Sequence, residues 1–237
     1  MNSPVPENRF ANDEPQPVHQ RIIRQITDNS VFSLQLQPFE AALKNIYEGI
    51  MPENYTVVFC LQTFEEVFLA AGLPIFRFCS DDWDMGNIVA GKLPILCCPV
   101  VRSSIGFIEA RKDIFESAKL VVVPTTCDWK VKMCDYLSDF SNLHLMELPH
   151  SHQKEKNQRR WVAEVKGLVK KLEKIVGKKI TGHSLLNAIK HVHTAQTIHD
   201  SLQQRRESGK ISHLDFFLVA GAYFMMDVVE WSKAAKN

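Results

Sequence analysis

The chain has 237 residues, of which 45% are hydrophobic and 23% charged, and these values exclude a disordered or fibrous protein. Its 28 lysines and arginines balance 27 aspartates and glutamates, so the net charge of +1 gives no support to a nucleic-acid partner. No apolar signal segment opens the chain, and the longest apolar run, Phe216 to Met226, is shorter than the roughly 20 residues that span a bilayer. We therefore expect a cytoplasmic protein with no membrane partner.

The first part of the chain is rich in proline, with four of the eleven prolines among residues 1–17. This composition predicts a loose arm over residues 1–16. Helical patterns follow at about residues 17–27 and 38–47 and lead into an α/β domain that we place at residues 17–150.

Short apolar runs with many β-branched residues predict the strands of this domain. They lie at Thr56–Cys60, Leu73–Phe78, Leu93–Cys98, Leu120–Pro124 and Leu143–Leu148. Helix signals separate the runs, so the strands are expected to be parallel and joined by right-handed crossovers. The pattern predicts an α/β fold with a Rossmann-like parallel sheet of four or five strands.

Polar residues ahead of three of the predicted helices are interpreted as N-caps. Thr63 and Glu66 form a T-x-x-E capping box for a helix that ends at Gly72. The hydroxyls near Ser103 precede the helix that carries Ile105, and Asp128 precedes the helix that follows the fourth predicted strand.

After Pro149 the apolar period changes to that of amphipathic helices. One helix begins near Trp161 and is closed by Gly177, a second covers Leu185–Leu202, and a third covers Leu214–Ala235. The sequence therefore predicts a helical region over residues 151–237, behind the α/β domain.

Four of the six cysteines, Cys60, Cys79, Cys98 and Cys127, follow predicted strands. Ligands of open parallel sheets bind outside the carboxyl ends of the strands, so these thiols would line one rim of the fold. Cys98 and Cys127 also precede helix N-termini, which favour thiolates. Such a rim indicates zinc or an iron–sulfur cluster, whereas the absence of a C-x-x-C motif leaves buried, packed cysteines as the alternative. Cys134 is interpreted as a packing residue.

Arg102, Ser103 and Ser104 stand beside the same helix start as Cys98. Basic and hydroxyl groups at a helix N-terminus can hold an anionic group, such as a thioester oxygen or a CoA phosphate. A plain helix cap with a surface arginine explains the same three residues equally well.

Five ordered segments resemble one protein family from about Thr56 onward. The segment Cys98–Gly106 matches C-P-apolar-x-(R/K)-S-S-x-G, and Thr125–Met133 matches T-T-C-D-x-K-x-K-M. Glu65–Pro74, Met146–Ser151 and Gly177–Thr181 match further segments in the same order. The sequence resembles the 2-hydroxyacyl-CoA dehydratase / benzoyl-CoA reductase family, D-component type, including its double-cubane cluster relatives.

The resemblance implies an iron–sulfur protein of anaerobes, with a cluster of the 4Fe–4S or double-cubane type. Cys98 and Cys127 match two ligands of the family. Cys60 and Cys79 match cysteines found in some relatives, so either could complete the site, and Cys60 is the candidate third ligand. Arg102, Ser103 and Ser104 are the candidate substrate-binding residues. The implied activity is that of a lyase: after an ATP-dependent activator supplies one electron, water leaves an acyl-CoA thioester by a radical route, or the thioester is reduced.

The resemblance also implies partners. They are a homologous second subunit or a second copy of the chain, the ATP-dependent activator, and acyl-CoA. A further cluster ligand of the family comes from a C-terminal domain that we expect this chain to lack. The alternative is therefore a truncated, cluster-free paralogue that acts only as a partner-binding module.

Overall fold

The structure is a computed structural model that describes residues 36–59, 64–80, 83–94, 96–149, 151 and 153–236. The predicted arm, the predicted helix near residues 17–27, Cys60 and Thr63 lie outside the described residues. Helix α1 (Gln37–Glu48) confirms the helix predicted at 38–47. It ends at Gly49, whose φ of 75° is left-handed and suits glycine.

A four-stranded parallel sheet forms the centre of the described fold. Its strands are β1 (Thr56–Phe59), β2 (Ile75–Phe78), β3 (Leu120–Pro124) and β4 (Leu143–Met146), in the order β2-β1-β3-β4. The two central strands, β1 and β3, are buried along their whole length, which explains their continuous apolar sequences. The predicted α/β class with a Rossmann-like parallel sheet is confirmed.

Helices cover both faces of this sheet. After α1 they are α2 (Glu65–Ala71), α3 (Trp83–Ile88), α4 (Pro99–Ala110), α5 (Lys112–Ser117), α6 (Asp128–Tyr136), α7 (Lys154–Val176), α8 (Gly182–Glu207), α9 (His213–Ala222) and α10 (Val228–Ala234). Val57 and Val121 belong to the core shared with α4, α5 and α6, whereas Val58 and Val122 belong to the core shared with α2 and α7. Alternate residues of each central strand thus face opposite helical layers.

The predicted strand over Leu93–Cys98 is wrong. Leu93 forms only an isolated bridge with Ala90, Leu96 lies in a turn with 88% of its surface exposed, and α4 begins at Pro99. Pro94 lacks the N–H that a ladder needs, which disfavours proline in the interior of a central strand, whereas Pro124 is tolerated as the last residue of β3. Among the residues that the structure describes, the sheet therefore has four strands.

Three helices begin at other residues than the predicted N-caps. Helix α4 starts at Pro99, because proline at the first helical position loses no intrahelical hydrogen bond. Ser103 therefore lies inside the helix and not at its N-cap. Asp128 is the first residue of α6 and Cys127 is its N-cap. Phe64 is the N-cap of α2, the Thr63 of the predicted capping box lies outside the described residues, and the predicted end of α2 at Gly72 is confirmed.

The helical region behind the sheet is confirmed, with one correction. Helix α7 ends at Gly177 as predicted, and α8 contains the predicted second helix. The predicted third helix is broken into α9 and α10, because the Asp227 carboxylate accepts the backbone N–H groups of Val229 and Glu230 and starts a new helix.

The turn between α9 and α10 covers the free edge of β2. The backbone N–H of Arg77 donates to the carbonyl of Phe224 at 2.9 Å. Because β2 is an edge strand, this N–H has no neighbouring strand to donate to, and the turn supplies its acceptor. In the part of the chain that the structure describes, no helix has the length and apolar character needed to cross a membrane.

Candidate functional site

Two cysteines stand at the N-caps of two helices that pack together. Cys98 is the N-cap of α4 and Cys127 is the N-cap of α6. Cys127 follows the carboxyl end of β3 by three residues, so α6 begins at that edge of the sheet. We call Cys98, Cys127 and the first turns of their helices the cysteine rim.

Two side-chain hydrogen bonds fix the cysteine rim to the sheet. The Ser104 hydroxyl accepts the backbone N–H of Ser80 at 3.0 Å, which places the second turn of α4 beside the carboxyl end of β2. The buried Thr125 hydroxyl accepts the backbone N–H of Leu148 at 2.9 Å and ties the loop before Cys127 to the end of β4. Both helices of the rim therefore begin at the carboxyl edge, where ligands of open α/β sheets bind.

The remaining described cysteines differ in exposure. Cys79 follows β2 and is exposed, whereas Cys97 is buried and its thiol donates to the carbonyl of Cys98 at 3.6 Å. Burial raises the pKa of Cys97, and the positive charges of Arg102 and Lys132 oppose that rise. Cys134 packs against the core, as predicted, and burial raises its pKa to about 11.

The ligand set for a metal is incomplete in the described residues. Among them, no group of three His, Cys, Asp or Glu side chains is arranged to hold a metal ion. Cys127 is exposed and Cys98 is half-buried, so the rim offers two accessible thiols. Their chemistry fits an iron–sulfur cluster, but their number falls short of the four cysteines that a 4Fe–4S cluster takes. Cys60 lies outside the described residues.

Positively charged residues lie in the first turns of both helices of the cysteine rim. The ammonium group of Lys132 lies 4.8 Å from the centre of the Trp129 ring in the first turns of α6, a cation–π contact that holds the charge near the rim. Lys130 is buried beside it, and Arg102 lies in the first turn of α4. Together with the N–H groups of two helix N-termini, these cations favour an anionic ligand.

The three predicted substrate-binding residues occupy different environments. Ser103 and Ser104 are buried inside α4, so the expectation that they flank a helix N-terminus is wrong. Arg102 is half-buried, and its guanidinium donates to the carbonyl of Pro94 at 2.9 Å. The assignment of all three to substrate binding stays a prediction, and Arg102 is the member of the trio that reaches solvent.

Gly106 is a further important residue of this segment, and its role was missed. A Cβ atom at Gly106 would lie 1.7 Å from the backbone oxygen of Met85, so the backbones of α3 and α4 touch there. Ser103 belongs to the same contact between α3 and α4, because a Cβ atom added to Gly86 would lie 3.4 Å from the hydroxyl oxygen of Ser103. Small residues at positions 103 and 106, one helical turn apart, were the available sequence signal for this packing.

A polar network beside β2 was not predicted either. The Arg77 guanidinium is buried, pairs with the Glu65 carboxylate and lies 5.1 Å from the centre of the Tyr223 ring. The Tyr223 hydroxyl donates to the same carboxylate, and burial, followed by Glu65, raises the pKa of Tyr223. A cleft of about 380 Å³ opens onto this network and is also lined by Glu66 and α8. Residues 65 and 223 are too distant in sequence for a local pattern to connect them.

Two thiols at the carboxyl edge of an α/β sheet place the protein in a candidate class, that of proteins which hold a metal or a cluster through cysteines. Comparison with known proteins identifies the family. Residues 60–237 match the model of the 2-hydroxyglutaryl-CoA dehydratase D-component. The chain therefore belongs to this family. It is also similar to the Escherichia coli (strain K12) protein named "Putative dehydratase subunit YjiM", with 34% identity over 132 residues. The match covers 55% of this chain and spans about a third, 34%, of the length of that relative.

Proposed function

We propose that this protein is an iron–sulfur subunit or domain of a 2-hydroxyacyl-CoA dehydratase-like enzyme. The observation that carries the proposal is the cysteine rim: Cys98 and Cys127 cap two packed helices at the ligand-binding edge of the sheet, and each lies in a segment that resembles the family. Family membership supports a dehydratase role. The cluster, the acyl-CoA substrate and the ATP-dependent activator are parts of the proposal.

In this proposal the thiols of Cys98 and Cys127 would hold iron of a cluster, and the cluster would supply the one-electron chemistry needed at an acyl-CoA thioester. Because Cys98 and Cys127 are the N-caps of α4 and α6, the positive ends of these two helix dipoles would favour the negative charge of bound thiolates. Lys132, held against Trp129, carries positive charge near Cys97, the residue next to Cys98. Cys60 as a third ligand stays a prediction.

The substrate side of the proposal rests on Arg102. Its guanidinium lies one turn after Cys98, and a planar guanidinium pairs well with the oxygens of a carboxylate, thioester or phosphate. The guanidinium also donates one hydrogen bond to the carbonyl of Pro94 at 2.9 Å, which positions it beside the start of α4. We expect Arg102→Met to weaken acyl-CoA binding without loss of iron.

A cluster-free partner-binding module is the second candidate function. It is favoured by one observation, namely that the described residues bring no third ligand to the two thiols of the rim. In that case the cysteine rim is a contact surface for another subunit, and the protein contributes no redox centre.

Anaerobic reconstitution with iron and sulfide separates the two candidates. We expect the reconstituted protein to bind iron and acid-labile sulfide and to show the visible absorption of a cluster. Cys98→Ser and Cys127→Ser should each lower the iron content strongly. Cys134→Ser is the matched control, because that thiol is partly buried on α6 and hydrogen-bonded to the carbonyl of Lys130 at 3.3 Å. A colourless, iron-free wild-type protein would contradict the cluster and favour the binding module.

A further inference from the structure

A lysine in the first turn of α6 is buried without a partner. Lys130, the third residue of the helix, is only 7% exposed. In the part of the chain that the structure describes, no group pairs with its ammonium group or accepts a hydrogen bond from it. Lysines buried to this degree are normally paired, because an unpaired charge away from water is costly. Lys130 is therefore suited to an anionic ligand.

The ammonium group of Lys130 lies toward the N-terminus of α6. Side chains of an α-helix lean toward its N-terminal end, so a lysine at the third position carries its head group to the level of the first turn. The ammonium nitrogen keeps contact with solvent, unlike the fully buried Nε of Arg77 and Nε2 of His144. A ligand from solution can therefore reach it.

The same turn carries open backbone donors. Helix α6 has nine residues and begins without a side-chain cap, since the Cys127 thiol accepts no hydrogen bond from it. The N–H of Lys130 donates to the carbonyl of Cys127 at 3.0 Å, whereas the N–H groups of Asp128 and Trp129 have no acceptor among the described residues. The Asp128 carboxylate is exposed and bonds neither of them. Open N–H groups and the helix dipole both favour an anion at this end.

Positive charge from α4 adds to this preference. Helices α4 and α6 pack together, and Arg102 of α4 and Lys132 of α6 both oppose the rise in the pKa of Cys97 by their charge. The two cations therefore lie near the junction of the helices. The start of α6 thus lies in a positive field that two helices supply.

We propose that the start of α6 is an oxyanion-binding site, in which the Lys130 ammonium and the N–H groups of Asp128 and Trp129 hold a phosphate or carboxylate group of a ligand. None of these donors is a cysteine, so the site needs no iron. Within the proposed function, on which this last assignment rests, the oxyanion is a phosphate of acyl-CoA or a carboxylate of its acyl group.

Isothermal titration calorimetry of the iron-free full chain, under reducing conditions, tests the site. The probes are inorganic phosphate, coenzyme A and glutarate: binding of the first two identifies a phosphate site, and binding of glutarate alone identifies a carboxylate site. Lys130→Met keeps an unbranched side chain without the charge and should weaken binding about tenfold or more, whereas Lys130→Arg should retain it. Lys166→Met is the matched control, because Lys166 is exposed on α7; this variant should bind like the wild type.

Thermal denaturation separates binding from a purely structural role of Lys130. Without anions, Lys130→Met should melt above the wild type, because it removes an unpaired buried charge. Phosphate or glutarate, whichever binds, should raise the melting temperature of the wild type and leave that of Lys130→Met unchanged. Circular dichroism verifies that the variants fold.

The contrary outcomes are distinct. Equal affinity of the wild type and Lys130→Met would overturn this inference, and so would a wild type that binds none of the three probes. A Lys130→Met variant that melts below the wild type would show that the lysine serves the fold, which also overturns it. Failure to take up iron on reconstitution contradicts the proposed function alone, because the anion titrations use the iron-free protein.

Discussion

Substitution of Gly106 by alanine tests the direct contact between α3 and α4. The added methyl carbon would lie 1.7 Å from the backbone oxygen of Met85, whereas ordinary contacts begin at about 3.4 Å. A backbone carbonyl cannot rotate away as a side chain can, so α3 must move. Overpacking of this kind costs up to about 3 kcal/mol. Alanine regains about 1 kcal/mol of helix propensity, so we expect a net loss of about 2 kcal/mol in the free energy of unfolding.

Gly167→Ala is the matched control, because Gly167 also lies inside a helix, is exposed, and has no atom within 4 Å of the position of an added Cβ. This variant should gain about 1 kcal/mol. Urea denaturation of the two variants and the wild type measures the difference, which we expect to be about 3 kcal/mol. If Gly106→Ala is as stable as the wild type, the two backbones are not in contact and the reasoning is refuted.

Three further predictions concern ionisable groups. Glu65→Gln should lower the free energy of unfolding by about 3 kcal/mol, because it leaves the charge of Arg77 buried and uncompensated. Urea denaturation measures this loss. A loss of about 1 kcal/mol or less, the value of an exposed ion pair, would contradict the prediction. Burial, followed by the charge of Lys171, lowers the pKa of His144, so the unfolded chain binds the proton more tightly. Stability is therefore lost as the pH falls below about 6.5, and His144→Gln should lose less between pH 7 and 5 in thermal denaturation. Cys134, whose pKa burial raises to about 11, should react with iodoacetamide at pH 8 far more slowly than the exposed thiols, as peptide mass spectrometry can show.

The fold was predictable where a single physical requirement dominates the local sequence. Leu120–Pro124 is apolar at every position because β3 is buried on both faces, and the helix closed by Gly177 shows a clear apolar stripe. Leu93–Cys98 is similarly apolar, yet Pro94 removes a ladder donor at its second position, whereas Pro124 only ends β3, and Pro99 starts a helix directly after the segment. The two prolines, rather than the apolar residues, decide the structure of that segment.

The candidate site was predictable in part. The positions of Cys98 and Cys127 before two helices follow from local sequence, and the structure places both at helix N-caps. The pairing of Arg77 with Glu65 and Tyr223 was not predictable, because it joins a strand, a helix and a distant turn. Only the assembled sheet edge brings these three groups together.

Ser104, one of the two buried serines of the R-S-S-x-G segment, has a structural role that changes how variants in this segment are interpreted. Ser104 holds the backbone of Ser80, and Gly106 admits the carbonyl of Met85. Both contacts set the position of α4, and the N-cap of α4 is Cys98. A loss of iron in Ser104→Ala would therefore be explained by a displaced Cys98, because the loss of its hydroxyl leaves a buried N–H without its acceptor. Substrate contact in this segment is tested at Arg102, the residue whose side chain reaches solvent, and not at the serine that builds the rim.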